Sequence, residues 1–564
     1  MNIVEPQSII SVGKYEILYA SASEWNEKNN IADQKKVVQY LNNAYIQYDN
    51  IDLKIEINWI EKGESISSVD FTMPRDEAKL SDIFITTPYG LIKKNRTGIG
   101  ATTLELNSPR NSIIVVPTKT LAYEKAKNSL IEETGKYKIL YVGSAISGLT
   151  IPSIEQYLSD KDIIYKKFIV VADSLPRLLQ KIGTAHYADY FLMIDEIDSY
   201  QYDSSYRPAL EDVMDYYFQF PEIKRCLVSA TVGKFSNSKI EEEPVINVRF
   251  NALQPRNITL LHSENIIETA KKQIETIFAE HPYDKILVAY NSVTKGILPI
   301  IKILEEEYQH KSAVLCSIKS KPHVEEYYTE ILDKHLSKQL TFMTCTYFVG
   351  IDIDEPFHLI SIADTNYPYT LLSEDKLQQI AGRCRIAGGL LSETIIYNSK
   401  EKTPIIIEEI YKQIIDDADL LVTYADSIPK VKRRFPKIIE PYNEIEQEHT
   451  IKHSSKSYHG TSNVALVRID ANNTIKPAFF NIDNLFIQLQ LLQTLYASPR
   501  ALPQQLEQSG HHIHFQEAEV TERYIDEDIL TEIAAEIQES QEEELRNIIQ
   551  QLRECENIAA RERL

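Results

Sequence analysis

Two successive sets of short β-branched runs, separated by helical stretches, constrain this chain more than any other feature. The first set reads SIIVVPT, KILYVG, FIVVADS, FLMIDE and RCLVSAT, and the second reads KILVAYN, SAVLCSI, LTFMTCT, HLISIAD and ETIIYN. Runs that are apolar throughout, rather than alternating, belong to strands buried on both faces. Parallel sheets covered by helices bury their strands in that way. At 564 residues the chain is too long for one ordinary core, so several domains are expected.

The alternation predicts an α/β fold with two tandem parallel-sheet domains, over 81–250 and 251–400. Residues 1–80 mix a strand-like piece (KYEILYA) with a helical one and read as an appended α+β region. Residues 401–460 read as a helix and a linker, because VKRRFPK and the serine-rich stretch after it lack periodicity. Residues 461–564 read as a largely helical accessory region. It ends in an acidic amphipathic helix on which Leu545, Ile548, Leu552, Cys555 and Ala559 fall three and four apart. Packing on its own chain, self-association and a protein partner are all open to that helix.

Composition excludes several classes. No run approaches the roughly 18 apolar residues that span a bilayer, and MNIVEPQSII lacks the design of a secretory signal. No membrane association is expected, and the location expected is cytoplasmic. The five cysteines show no CxxC, and no His/Cys cluster has metal-ligand spacing, so the spacing indicates neither disulfides nor a zinc site. The net charge of -22 argues against coating nucleic acid by bulk attraction. Much of it sits in the tail, where 517–564 holds 15 acidic and 5 basic residues, which leaves room for a basic groove elsewhere.

Four segments carry chemistry. In RTGIGATT, Gly98 and Gly100 bracket Ile99 in a turn that can aim backbone N–H groups at phosphate oxygens, with Thr102 and Thr103 opening a helix. The position where such a loop normally carries lysine holds Ala101. In MIDEID, a buried run ends in Asp195 and Glu196 at a sheet edge. There one carboxylate can hold Mg²⁺ and the other can deprotonate a water. SAT contains Ser229 and Thr231, and QIAGRCR contains Gln379, Arg383 and Arg385. An arginine beside a phosphoryl group in transfer stabilises the charge spread over its oxygens.

In order and spacing these segments resemble the motifs of superfamily 2 helicases, and the likeness covers about 300 residues. The resemblance implies two RecA-like domains that bind ATP and Mg²⁺, with Thr102 and Asp195 at the metal and Glu196 as the catalytic base. It makes Arg383 and Arg385 catalytic arginines, with Arg383 the better candidate for the finger, and Ser229 and Thr231 the coupling motif. It places Pro117, Thr118, Lys119, Asp173, Ser174, Asn291, Thr344 and Thr346 on the nucleic-acid backbone, and Gly350, Asp352 and Gln379 near the nucleotide. The two-residue spacing of Arg383 and Arg385 resembles the shorter motif of herpesvirus origin-binding-protein-like and phage helicases.

What the resemblance implies is an NTP-dependent helicase or translocase in replication, recombination or repair, acting on single-stranded or duplex DNA rather than RNA. The AT-rich composition and the phage likeness point to a viral source, and then to the host cytoplasm. Two other classes stay open: a catalytically silent pseudo-helicase that binds nucleic acid or proteins, and the motor of a larger restriction or remodelling assembly. Ala101 is the divide between the first two. Arg96, Lys93 and Lys94 are near enough in sequence to supply the missing charge.

Overall fold

The computed structural model describes the strands Ser8–Val12, Tyr15–Tyr19, Lys54–Trp59 and Ile66–Met73, then 77–434 and 454–518 apart from 83, 85, 128, 132–135, 145–151, 232, 251–254, 332–333, 402 and 471. The helical piece expected near 33–48 and the amphipathic helix expected at the C-terminus lie outside the described residues. The chain divides into two compact units. Unit 1 comprises 1–254 with 405–489, and unit 2 comprises 255–404 with 490–564.

Unit 1 is built on a nine-stranded sheet. Its strands are β1 (Lys54–Trp59), β2 (Ile66–Met73), β3 (Gly90–Lys93), β4 (Asn111–Val116), β5 (Ile139–Val142), β6 (Lys167–Val171), β7 (Tyr190–Asp195), β8 (Arg225–Ser229) and β9 (Val245–Phe250). They lie in the order β1-β2-β9-β3-β8-β7-β4-β6-β5. All pairs are parallel except β1 with β2. Unit 2 has seven parallel strands: β10 (Asn257–His262), β11 (Ile286–Ala289), β12 (Ser312–Leu315), β13 (Leu340–Met343), β14 (Phe357–Ala363), β15 (Leu390–Tyr397) and β16 (His512–Glu517). Their order is β12-β13-β11-β14-β15-β10-β16.

The two sheets share one topology. Counting strands from β3 in unit 1 and from β10 in unit 2, both run third, fourth, second, fifth, sixth, first, seventh. This is the expected α/β architecture of two tandem RecA-like units. In each, residues at the carboxyl ends of the strands come together along one sheet edge, where open parallel sheets bind ligands.

Both faces of the central strands are covered. Ile113, Ile114, Val115 and Val116 of β4 are fully buried, which explains why the run contains no polar alternation. The seventh strand of unit 2 comes from far along the chain. Residues 512–517 pair with all of β10, from Asn257 with His512 to His262 with Glu517.

Residues 455–489, read from sequence as linker and accessory region, fold against unit 1. The helix α7 (Phe479–Gln493) follows α1 (Ala101–Asn107), α2 (Ile197–Asp203), α3 (Ala209–Tyr217), α4 (Ile266–Glu280), α5 (Glu374–Ala381) and α6 (Ile407–Arg434). Phe480 packs among Tyr200 and Phe235, and its N–H donates to Glu211. Asp483 accepts from Gln201 and from the Ser236 N–H. Asn484 donates to the carbonyls of Gln201 and Tyr202, and Arg468 reaches Asp212 and Asp215. Burial pushes the Glu211 carboxyl up to about 8 and that of Asp483 up to about 7. Among the described residues no helix is long and apolar enough to cross a membrane.

Candidate nucleotide site

The loop after β3 turns through Gly98 and Gly100, whose φ angles of 72° and 87° lie where side chains other than glycine are strained. Gly100 caps α1, so the N–H groups of Ala101, Thr102 and Thr103 open the helix and face the edge of the sheet. The loop is pinned from outside. Lys79 Nζ donates to the Gly98 carbonyl at 2.8 Å, and the Leu80 N–H donates to Ile99 at 2.9 Å. Thr102 is half-buried and Thr103 exposed, while Ile99 and Ala101 are buried in the apolar cluster that includes Leu104.

β7 brings its two carboxylates to the same place. Thr102 Oγ1 donates to Asp195 Oδ2 at 2.5 Å. Glu196 stands in the left-handed region with φ 54°, which bends the chain sharply out of the strand and into α2. Lys94, the residue after β3, lies against both carboxylates. Its Nζ is 2.9 Å from Glu196 Oε1 and 3.7 Å from Asp195 Oδ1, and the side chain is buried.

The charges explain why Lys94 stays an ammonium. Burial opposes its charge, but the carboxylates of Glu196 and Asp195 outweigh burial and raise its pKa above the ordinary lysine value. Burial also raises the Glu196 carboxyl, opposed by Lys94 and reinforced by Asp195 and Asp198. Three carboxylates thus share one ammonium, and Glu196 Oε2 is buried with no hydrogen-bond partner. A hydroxyl beside a carboxylate, under net negative charge and with an orphan oxygen nearby, suits a hard divalent cation.

Of the other two nearby cations, Arg96 lays its guanidinium 4.3 Å above the Phe250 ring, and Lys93 ends β3 half-buried.

Asp198 joins this edge to the SAT segment. Its two oxygens accept from the hydroxyls of Ser229 and of Thr231, the latter at 2.8 Å. The Lys94 N–H donates to the Ser229 carbonyl at 2.8 Å, so β8 is tied to the start of the loop after β3 as well. Asp198 is a functional residue that the motifs alone do not single out; a carboxylate at this spacing after Asp195 within MIDEID was the available signal.

Arg207 is a second residue that sequence reasoning missed. It donates to the Pro117 carbonyl at 2.6 Å and approaches Asp173 at 3.4 Å, linking two segments expected on nucleic acid. Thr118 is buried as the start of the helix Lys119–Lys127, and its Oγ1 accepts from the Leu121 N–H. Asp173 is exposed, and Lys119 and Ser174 are half-buried. No signal in the sequence links position 207 to 117 or 173.

Unit 2 gathers its own motif residues. Asn291 donates to the Tyr369 carbonyl and accepts from the Cys345 N–H, which sets it beside Thr344 and Thr346. Thr344 is buried and Thr346 half-buried. Gly350, with φ 81°, turns the chain toward Asp352. Asp352 meets Arg385 Nε at 2.6 Å; burial opposes its ionisation, but that arginine holds the carboxyl below its ordinary value.

Arg383 is buried, donating to the carbonyls of Gln379 and Ile351 at 3.0 and 2.9 Å. Its guanidinium is engaged by its own unit's backbone, and the partly exposed guanidinium is that of Arg385. The sequence favours Arg383 because the spacing to Arg385 is two residues rather than the commoner three, a pattern that says nothing about where each side chain turns. Gln379 is also buried, and its Oε1 accepts from Lys376.

No family model matches the chain, and no curated protein does. Among solved structures, Mss116p bound to single-stranded RNA and AMP-PNP is 14% identical over 62% of this chain and 79% of its own, with a TM-score of 0.39. Dbp5 from S. cerevisiae, bound to RNA and ADP BeF3, is 12% identical over 56% and 80%, with a TM-score of 0.37. A hypothetical ATP-dependent RNA helicase from Sulfolobus tokodaii is 15% identical over 55% and 87%, with a TM-score of 0.21. Overlaps this loose assign neither activity nor substrate to the chain. None of them bears on the likeness of QIAGRCR to herpesvirus or phage motifs, or on a phage source.

Proposed function

We propose that the chain is an NTP-dependent helicase or translocase of superfamily 2 in which Lys94 takes over the role of the missing phosphate-loop lysine. The observation that supports this most is the Lys94 ammonium lying on Glu196 and Asp195 beside Thr102. In this reading the N–H groups that open α1 and the Lys94 ammonium hold the phosphates of ATP. Thr102 and Asp195 would hold Mg²⁺, which neutralises phosphate charge when bound. Glu196 orients the attacking water and accepts its proton.

Asp198 passes the state of this edge to Ser229 and Thr231 through the two hydroxyls it accepts from. Pro117, Thr118, Lys119, Asp173 and Ser174 in unit 1, and Asn291, Thr344 and Thr346 in unit 2, belong to segments suited to sugar and phosphate rather than bases. That is the contact pattern of a motor indifferent to sequence. The same proposal includes a role in replication, recombination or repair.

A silent scaffold on the same fold would keep Lys94 only as a structural ion pair. Equilibrium binding of labelled single-stranded RNA and DNA to the full chain, with and without AMP-PNP and Mg²⁺, separates the two. The motor reading expects the nucleotide to change affinity for one of them by about 5- to 150-fold, the usual range of coupling between sites. Equal affinity with and without nucleotide overturns it.

Returning a lysine to the loop is expected to do harm. Ala101 is 3% exposed and packed with Leu104 and Ile99, so a long side chain overfills the start of α1 at a cost of about 1 to 3 kcal/mol. Ala101→Lys should lower the thermal midpoint and bring no gain in ATP turnover. A tenfold gain would show instead a weakened loop still waiting for its lysine.

A further inference from the structure

The opposite edge of unit 2, where the strands begin, holds a second cluster that the nucleotide chemistry does not use. His281 caps α4, and a turn closed by the Asp284 N–H on the His281 carbonyl puts the two side chains on one side. Gln339 Nε2 fixes that turn by donating to the carbonyls of Pro282 and Asp284 at 2.7 and 3.0 Å. His358 enters from the start of β14, in register with Ile286 of β11 and Ser392 of β15.

The three side chains converge. Asp284 Oδ2 lies 3.6 Å from His281 Nδ1 and 3.3 Å from His358 Nε2, and the three atoms all fall within 4.8 Å of one another. Ligand bonds of about 2.0 to 2.1 Å in a tetrahedron put ligand atoms roughly 3.3 to 3.4 Å apart. Two of the three separations are therefore close to those of a bound ion. The His281 side chain is 48% exposed, and its ring would turn to close the third around a bound ion.

The surroundings of His358 suit a ligand. It is buried, and its Nδ1 is engaged by Ser392 Oγ at 2.8 Å, which leaves Nε2 facing Asp284. Metal-bound histidines are oriented by such a partner on the other ring nitrogen. The carboxyl end of α4 adds the partial negative charge of its last carbonyls.

We propose that His281, Asp284 and His358 form a binding site for a divalent transition ion of the zinc class. Two imidazoles and one carboxylate are a donor set for Zn²⁺ rather than for Mg²⁺ or Ca²⁺, which take oxygen ligands. Three protein ligands leave a position for water. The ion braces the end of α4 against the starts of β11 and β14, at the edge away from Asn291 and Thr344. Sequence spacing concealed the site, because His358 lies 74 residues beyond Asp284.

The test uses the full chain, stripped with a chelator and titrated with Co²⁺ and then Zn²⁺. One Co²⁺ per chain is expected, with the visible absorption of a low-coordinate ion that Zn²⁺ displaces, and the thermal midpoint should rise with either metal. His281→Ala and Asp284→Asn should each weaken binding by more than about 100-fold and abolish the thermal shift. Ser392→Ala should weaken it about 10- to 100-fold. Unchanged affinity in the His281 and Asp284 variants, or no ion bound by the wild type at about 100 μM, overturns the proposal. His281 is exposed, so its variant is expected to fold.

Discussion

Glu196→Gln is expected to lower ATP turnover by about 10²- to 10⁴-fold, the usual worth of a positioned general base. Nucleotide affinity should stay close to that of the wild type, because the amide oxygen can still accept from Lys94, as Oε1 does at 2.9 Å. The pH profile adds a second readout. Only the carboxylate form can take a proton from water, and burial raises this carboxyl above the ordinary glutamate value. As pH falls, wild-type kcat/KM should therefore decline along a limb whose midpoint lies above that of an ordinary glutamate, and the variant should lack that limb. A glutamine variant that retains full turnover removes Glu196 from the chemistry.

Lys94→Ala is expected to cost about 10²- to 10³-fold in turnover, the loss typical when one preorganised charge at a reacting centre is removed. The variant should also be less stable. Of its carboxylate partners Asp195 is buried and Glu196 half-buried, and breaking a buried pair from one side costs up to about 3 to 5 kcal/mol. Two comparisons separate stability from chemistry. Lys94→Arg keeps the charge and should restore much of the thermal midpoint, though a planar fork in a pocket fitted to an ammonium recovers only part of the rate. Affinity for an ATP analogue, measured below the unfolding transition, should fall in the alanine variant. An alanine variant that is destabilised yet hydrolyses ATP like the wild type would reduce Lys94 to a structural ion pair.

The two parallel sheets were legible because strands buried on both faces leave continuous apolar runs, as FIVVADS and HLISIAD do. β16 was hidden for the converse reason. HIHFQE is polar, sits at a sheet edge and alternates between exposed and half-buried residues, so it reads as part of a helical tail. The seating of α7 on unit 1 was hidden too, since it rests on polar pairs such as Asp483 with Gln201 that are far apart in sequence.

At the candidate site, residue types and spacing were enough to nominate Asp195, Glu196, Ser229 and Thr231. Which nearby cation faces them depends on the direction in which β3 ends, and that direction is set by the pleat and by pairing with β8 rather than by any local pattern. The same holds for Arg383 and Arg385, where two adjacent positions in one motif turn to different surroundings. Asp198 and Arg207 act through contacts across the edge of the sheet; the spacing of Asp198 after Asp195 hints at the first, and no spacing announces the second.

The most direct test of the account is the steady-state rate of ATP hydrolysis by the full wild-type chain, measured with Mg²⁺ alone and then with single-stranded RNA or DNA. A loop served by Lys94 predicts turnover that rises when one of these nucleic acids is added. A wild-type chain that binds nucleic acid yet hydrolyses no ATP under either condition would contradict it.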